Sequence, residues 1–112
     1  MDFENIRCPW GDNLKTCAIT VCDTDGVIMY QNHRSREVNG DMRGRSMIPC
    51  HSARSRDIIN RLMTTGATNA YTIQKNDLKK MIYQTAWKEN GEVAGLVEIS
   101  MVIPDEIPHY VR

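Results

Sequence analysis

The sequence predicts an α+β fold: a five-stranded antiparallel sheet with short helices and one longer helix packed on its inner face. Three observations carry that prediction. Two β-branched runs, "CAITVC" and "VIMYQ", are joined by the Asp/Gly turn "DTDG", which is a hairpin signature. Residues 53–65 put Ile58, Ile59, Leu62 and Met63 on one stripe of a helix. The last third reads as three strands separated by Asn-containing turns. At 112 residues the chain is one domain, and a hydrophobic content of 41% can fill one core.

Taken in order, residues 1–16 are mixed, and Pro9 and Gly11 break any long helix, so a short helical or irregular lead-in is expected. Strands follow at 17–22 and 27–31. Asn32 then caps a short helix to about Val38, closed by Asn39-Gly40. Residues 41–51 hold Gly44 and Pro49 among arginines and read as short helical turns and loop. Ser52 caps the longer helix, 53–65, which Gly66 ends. The strands 68–74, 78–88 and 92–103 form a meander with turns at 75–77 and 89–91, and Pro104 ends the sheet. On the last strand Val93, Val97, Ile99, Met101 and Ile103 share one face, and Ala94, Leu96, Glu98, Ser100 and Val102 the other. Both faces are largely apolar, so something must cover the second one.

Charge excludes some classes of partner. The 14 basic and 14 acidic residues cancel, which gives no electrostatic case for nucleic acid, and none is expected as a partner. Seven arginines nevertheless crowd into Arg34–Arg61, as a solvated face or a basic rim for an anionic ligand. No secretion signal opens the chain and no apolar run reaches the ~20 residues of a membrane helix, so a cytoplasmic location is expected. Cys8, Cys17, Cys22 and Cys50 contain no C-x-x-C pair and the three histidines are scattered, so no metal site is expected.

The order of elements, with three short motifs, resembles a PAS domain. "DTDGVIMYQN" is similar to the D-x-x-G-x-I-x-x-x-N run that opens such domains. "GRSMI" resembles the segment before their long helix, and "ENGEVAGLVEIS" the hairpin into their final strand. The resemblance covers 17–103, with 1–16 as a lead-in or cap and 104–112 as a tail. It implies a sensory or interaction module that binds haem, flavin or a small metabolite between sheet and helices, or binds nothing. Such domains pair with themselves or with an effector protein, often in transcriptional or two-component regulation. Nine residues after the last strand leave no room for an effector, so a free-standing sensor acting through a partner or a fragment of a longer protein is expected, and the Met1 start favours the first.

"IPCHS" places Cys50 beside His51. Adjacent side chains on a loop diverge, and no third group is positioned to orient a base, so no catalytic residue and no enzymatic activity are expected. Light-oxygen-voltage flavin sensors carry their cysteine in G-x-N-C-R-F-L-Q. Here Cys50 follows Gly44 by six residues, Val97 stands where that subclass has a flavin-contacting Gln, and Ile73 and Tyr83 replace its asparagines. A flavin adduct is therefore not expected. Haem-binding relatives place a histidine within the long helix, where this chain has Arg56, and His51 comes about a turn too early. A b-type haem sensor is kept as the lesser alternative, and a c-type attachment is excluded because C-x-x-C-H is missing.

A small organic ligand remains, with no resident cofactor. Period-two counting, with the family's alignment, turns Met81, Tyr83, Thr85 and Trp87 inward with Tyr71 and Ile73, against Ile58, Ile59, Leu62 and Met63. Thr20 and Cys22, with Val97 and Ile99, complete the wall. The expected ligand-binding residues are Tyr83, Tyr71, Thr85, His51, Cys50, Met81, Val97, Leu62 and Ile58. The opposite face, with Ile19, Val21, Leu96 and Val102, is expected to form a homodimer interface. A pure interaction module with a filled core is the competing function.

Overall fold

β1 (Cys17–Asp23) and β2 (Ile28–Gln31) form the predicted hairpin. The computed structural model describes residues 8–46 and 53–112, so the expectations for Cys50, His51 and the Ser52 cap lie outside the described residues. In the hairpin turn the Asp23 carboxylate accepts from the backbone N–H groups of Asp25 and Val27 at 2.9 and 3.0 Å. A short α1 (His33–Asn39) follows, and the longer α2 (Ala53–Thr65) precedes β3 (Thr68–Lys75), β4 (Leu78–Glu89) and β5 (Glu92–Val102). The β3–β4 and β4–β5 loops are two residues each, Asn76-Asp77 and Asn90-Gly91, with positive φ at all four positions. That is the mirror-image turn whose twist suits an antiparallel hairpin.

The strand order is β2-β1-β5-β4-β3, so the last strand inserts beside the first and the sheet is antiparallel throughout. Asn32 fixes the β2–α1 corner and is fully buried. Its carbonyl oxygen accepts from Ile19 N at 2.9 Å and from Ser35 N at 3.0 Å, which caps α1. Its amide donates to the carbonyls of Gly11 and Cys17, both at 2.9 Å. One side chain thereby ties the lead-in, β1 and α1 together. Gly11 itself leaves no room for a larger residue, since a Cβ there would lie 2.1 Å from the Tyr30 hydroxyl.

Register decides the faces. Thr20 pairs with Glu98 and Cys22 with Leu96; Glu98 pairs with Gln84, Ser100 with Ile82 and Leu96 with Ala86; Gln84 pairs with Asn69 and Ile82 with Tyr71. Directly paired residues share a face. The α2 side is marked by the buried cluster of Cys22, Ile28, Ile59, Leu62 and Leu96, against which Met42, Ile58 and Met63 pack.

The sequence-predicted inner faces of β1 and β3 agree with this arrangement, and those of β4 and β5 are corrected by it. Met81, Tyr83, Thr85 and Trp87, with Val97 and Ile99, lie on the outer side, where Tyr83 is 39% and Met81 42% exposed. Leu96, expected at a dimer interface, is instead in the core at 1% exposure, and Val102 shares its side of the sheet. Within one strand the alternation of period two groups side chains correctly, but it does not say which group meets the helix. The error had a physical source: the helix-facing positions of β4 and β5 carry Gln84 and Glu98, which read as solvent-facing.

Gly95 sits where β1, β4 and β5 meet. A Cβ there would stand 1.8 Å from the Cys22 carbonyl oxygen and 2.6 Å from the indole nitrogen of Trp87. The space is taken by the indole, whose N–H donates to that same carbonyl at 3.0 Å. The close approach that the missing side chain allows is made by the protein's own tryptophan.

Candidate functional site

One row of directly paired residues crosses all five strands on the helix-facing side: Gln31, Thr20, Glu98, Gln84 and Asn69. All five are polar. The row on one side holds Cys22, Leu96 and Ala86, and the row on the other holds Ala18, Ser100, Ile82 and Tyr71. The five together are a continuous polar line between mostly apolar neighbours, on the side of the sheet where α2 packs.

The two ends of the row differ in how their hydrogen bonds are met. On β1 and β2, Thr20 Oγ1 lies 2.6 Å from Ser35 Oγ. The Gln31 amide donates to Ser35 Oγ and the Gly40 carbonyl, both at 3.0 Å, and its oxygen accepts from Met42 N at 2.7 Å. That half is closed by α1 and the chain after it. On the other half, Asn69 Nδ2 donates to Gln84 Oε1 at 3.2 Å, and the Gln84 side chain in turn hydrogen-bonds Glu98. The relay ends on a carboxyl group.

Burial pushes the Glu98 carboxyl above the usual carboxylate range, and the hydrogen bond from Gln84 offsets part of that rise. No cation contributes to its environment among the described residues. The Tyr71 phenol is raised first by burial and then by the negative charge of Glu98, which places the two groups within electrostatic reach of one another. Glu98, Tyr71, Gln84 and Asn69 thus form a polar patch on the helix-facing side, next to the core in which the apolar stripe of α2 packs against Cys22, Ile28 and Leu96.

Of the predicted ligand-binding residues, Tyr71, Leu62 and Ile58 are brought to this side, while Tyr83, Thr85, Met81 and Val97 are on the opposite one. Of the predicted dimer residues, Ile19 and Val21 are on the outer side. Glu98, Gln84 and Asn69 were not anticipated. Their signal was faint: Asn69 near the start of β3, and Gln84 and Glu98 near the middles of β4 and β5, gain meaning only when the three fall in register.

The chemistry of the thiols is quiet. Burial pushes the Cys22 thiol up to about 11 and also raises Cys17, so neither is a ready nucleophile at neutral pH. Among the described residues no three of His, Cys, Asp and Glu come together as a metal site. The arginine-rich segment is engaged at the surface: Arg43 chelates Asp41 and holds its carboxyl down at about 2, Arg34 pairs with Glu37, and Arg36 reaches Asp12 at 3.7 Å. An open groove of about 360 Å³ lies at the far edge, lined by Gln74, Asp77, Lys79 and residues 103–105 and 107, away from the polar row.

The strand order with helices on one face is that of the PAS fold, and this chain has it. No protein-family model matches the sequence, and no curated protein matches it significantly. Solved structures do. The Vibrio cholerae VqmA dimer, described as a LuxR-type receptor with a target DNA, superposes with a TM-score of 0.69 at 18% identity over 100% of this chain. The chain spans 57% of the length of VqmA, which has also been solved bound to DPO. The Aer2 receptor of Vibrio cholerae, a dual PAS-heme oxygen sensor, gives 0.60 at 19% identity, covering 80% of this chain and 96% of that one. The PAS domain of the histidine kinase ThkA gives 0.64 at 12% identity, covering 77% and 98%. No helix among the described residues is long and apolar enough to cross a membrane.

Proposed function

We propose that this chain is a cytoplasmic, non-enzymatic sensory module that binds a small organic molecule between the polar row and α2. It relays occupancy through a homodimer or a partner protein, in transcriptional or two-component regulation. The observation that carries the reading is the polar row itself. It holds a half-buried carboxyl, Glu98, bonded to a neutral amide and pushed above the usual carboxylate range, and a core that served packing alone gains nothing from such a group. The neighbours support the regulatory part, since they include a DNA-linked receptor, an oxygen sensor and a kinase domain.

A second reading is favoured by the outer side of the sheet. Tyr83, Met81 and Met101 are 39%, 42% and 47% exposed there, beside Val97, Ile99, Ile19 and Val21. That is a broad apolar surface suited to a second copy. The two readings are compatible, with the ligand on one face and the partner on the other.

Native mass spectrometry of freshly purified protein tests both. The expected spectrum shows a dimer carrying an added mass of a few hundred daltons or less, released on denaturation. A ligand-free dimer in material that also fails to bind any member of a metabolite library leaves only the interaction module.

A further inference from the structure

We propose that the open edge of β3 docks a second copy of this chain, joined antiparallel so that the two sheets run on as one. This surface is separate from the outer side of the sheet and does not depend on a bound ligand.

The two edges of the sheet are treated differently. At the β2 edge, Ile28 N donates to the Arg45 carbonyl at 2.9 Å, Gly44 N donates to the Ile28 carbonyl at 2.7 Å, and Val27 bridges Ser46. The chain after α1 thus covers that edge. At the other edge β3 pairs only with β4, and among the described residues no other backbone hydrogen bond reaches Thr68–Lys75. An open edge offers a row of unpaired N–H and C=O groups, which proteins blunt with charge, proline, a bulge or a short strand. β3 has none of these before its last residue. It is eight residues long, it pairs with β4 without a register shift, and Lys75 is its one charged residue.

The occupant follows from the strand's own sequence, TNAYTIQK. A two-fold axis through Thr72, perpendicular to the sheet, sets Thr72 against Thr72, Tyr71 against Ile73, Ala70 against Gln74 and Asn69 against Lys75. Thr–Thr and aromatic–β-branched pairs are favourable across strands, and no like charges meet. Tyr71 and Ile73 are 42% and 40% exposed, and this pairing sets each beside the other twice over. Moving the axis to Tyr71 sets Asn69 against Ile73, and moving it to Ile73 sets Tyr71 against Lys75. The strand is complementary to itself in one register. An edge of this length buries less than the roughly 1,200 Å² of a stable complex, so the contact forms at high protein concentration.

Thr72→Cys captures the contact. With oxidised glutathione at millimolar protein, it should give a disulfide between two copies of the tryptic peptide 62–75, which holds none of the native cysteines. Ala70→Cys and Gln74→Cys should each give about fivefold less of their own homodisulfide, because the register sets them against each other. Equal yields at 70, 72 and 74, or a maximum away from 72, overturn the pairing. A second measurement separates this edge from the outer side of the sheet. In Tyr83→Ser with Met101→Ser, sedimentation equilibrium should still find a concentration-dependent dimer. Adding Thr72→Lys sets two lysines face to face across the axis and should weaken that dimer about fivefold or more. Thr72 is exposed, so thermal unfolding should not change. A monomer at millimolar concentration in the Tyr83, Met101 background, or a dimer indifferent to Thr72→Lys, overturns the edge contact and leaves the outer-side interface standing.

Discussion

The two halves of the polar row are built from the same kinds of side chain and end in opposite states. On the β1–β2 side, Gln31 and Thr20 are satisfied by Ser35, Gly40 and Met42, and Asn32 next to them makes four hydrogen bonds. On the β3–β4–β5 side, Asn69 and Gln84 serve only to support Glu98. The difference is where each half finds its partners. α1 and the chain after it bring hydroxyl and backbone groups to the first, whereas among the described residues the hydrogen bonds of the second run between its own side chains. Polar side chains met by backbone and hydroxyl groups from outside the sheet are architecture, and polar side chains that meet one another make the candidate site.

The comparison is broken most directly at Asn32. Asn32→Ala removes every bond of a fully buried amide and takes the side-chain partner from the Ile19 and Ser35 N–H groups and the Cys17 carbonyl, which should cost about 3–5 kcal/mol. Asn69→Ala, in the open half, should cost less than about 1 kcal/mol. Urea denaturation of both variants measures the contrast, and equal losses would show that the two halves are equally structural.

Gly95→Ala tests the seam between the halves. The added methyl meets the Cys22 carbonyl and displaces the Trp87 indole, so a loss of about 2–4 kcal/mol is expected. A red shift of tryptophan fluorescence should accompany it as the indole leaves its hydrogen bond. An unchanged spectrum would mean that Trp87 does not fill the space above Gly95.

The outer side of the sheet should respond in the reverse sense. Tyr83→Ser with Met101→Ser should raise the dimer dissociation constant about tenfold or more, since central aromatic and long apolar residues dominate interfaces. Folding stability should change by less than about 1 kcal/mol, because both side chains are already exposed. Sedimentation equilibrium reads the first quantity and thermal unfolding the second. Tyr83→Phe should leave ligand affinity untouched, because its hydroxyl is on the wrong side of the sheet.

The smallest effect concerns Glu98 and pH. A carboxyl whose folded pKa exceeds its unfolded one retains its proton longer in the native state. The stability of the wild type therefore falls as pH rises from the usual carboxylate range through the raised value. Glu98→Gln should lack that decline and be the more stable protein at neutral pH without ligand. Urea midpoints between pH 4 and pH 8 check the sign, and a wild type that gains stability across that interval on account of this residue would contradict the burial of Glu98.

Much of the chain was legible because local chemistry sufficed. Asp23 and Gly26 announce one turn, Asn76-Asp77 and Asn90-Gly91 the other two, and Asn32 caps α1 where it was expected. Each depends on residues close in sequence, as turn geometry and capping do. The apolar stripe of α2 was equally plain, and Ile59 and Leu62 are both 1% exposed. Tertiary structure alone decided which side of each strand meets that stripe. Strand alternation has two equivalent phases, and the choice between them is made by pairing between strands far apart in the chain. Thr20 and Glu98 are brought face to face by the insertion of β5 beside β1. With that pairing in place, Gln31, Thr20, Glu98, Gln84 and Asn69 become one line, and five unremarkable polar residues become a candidate site.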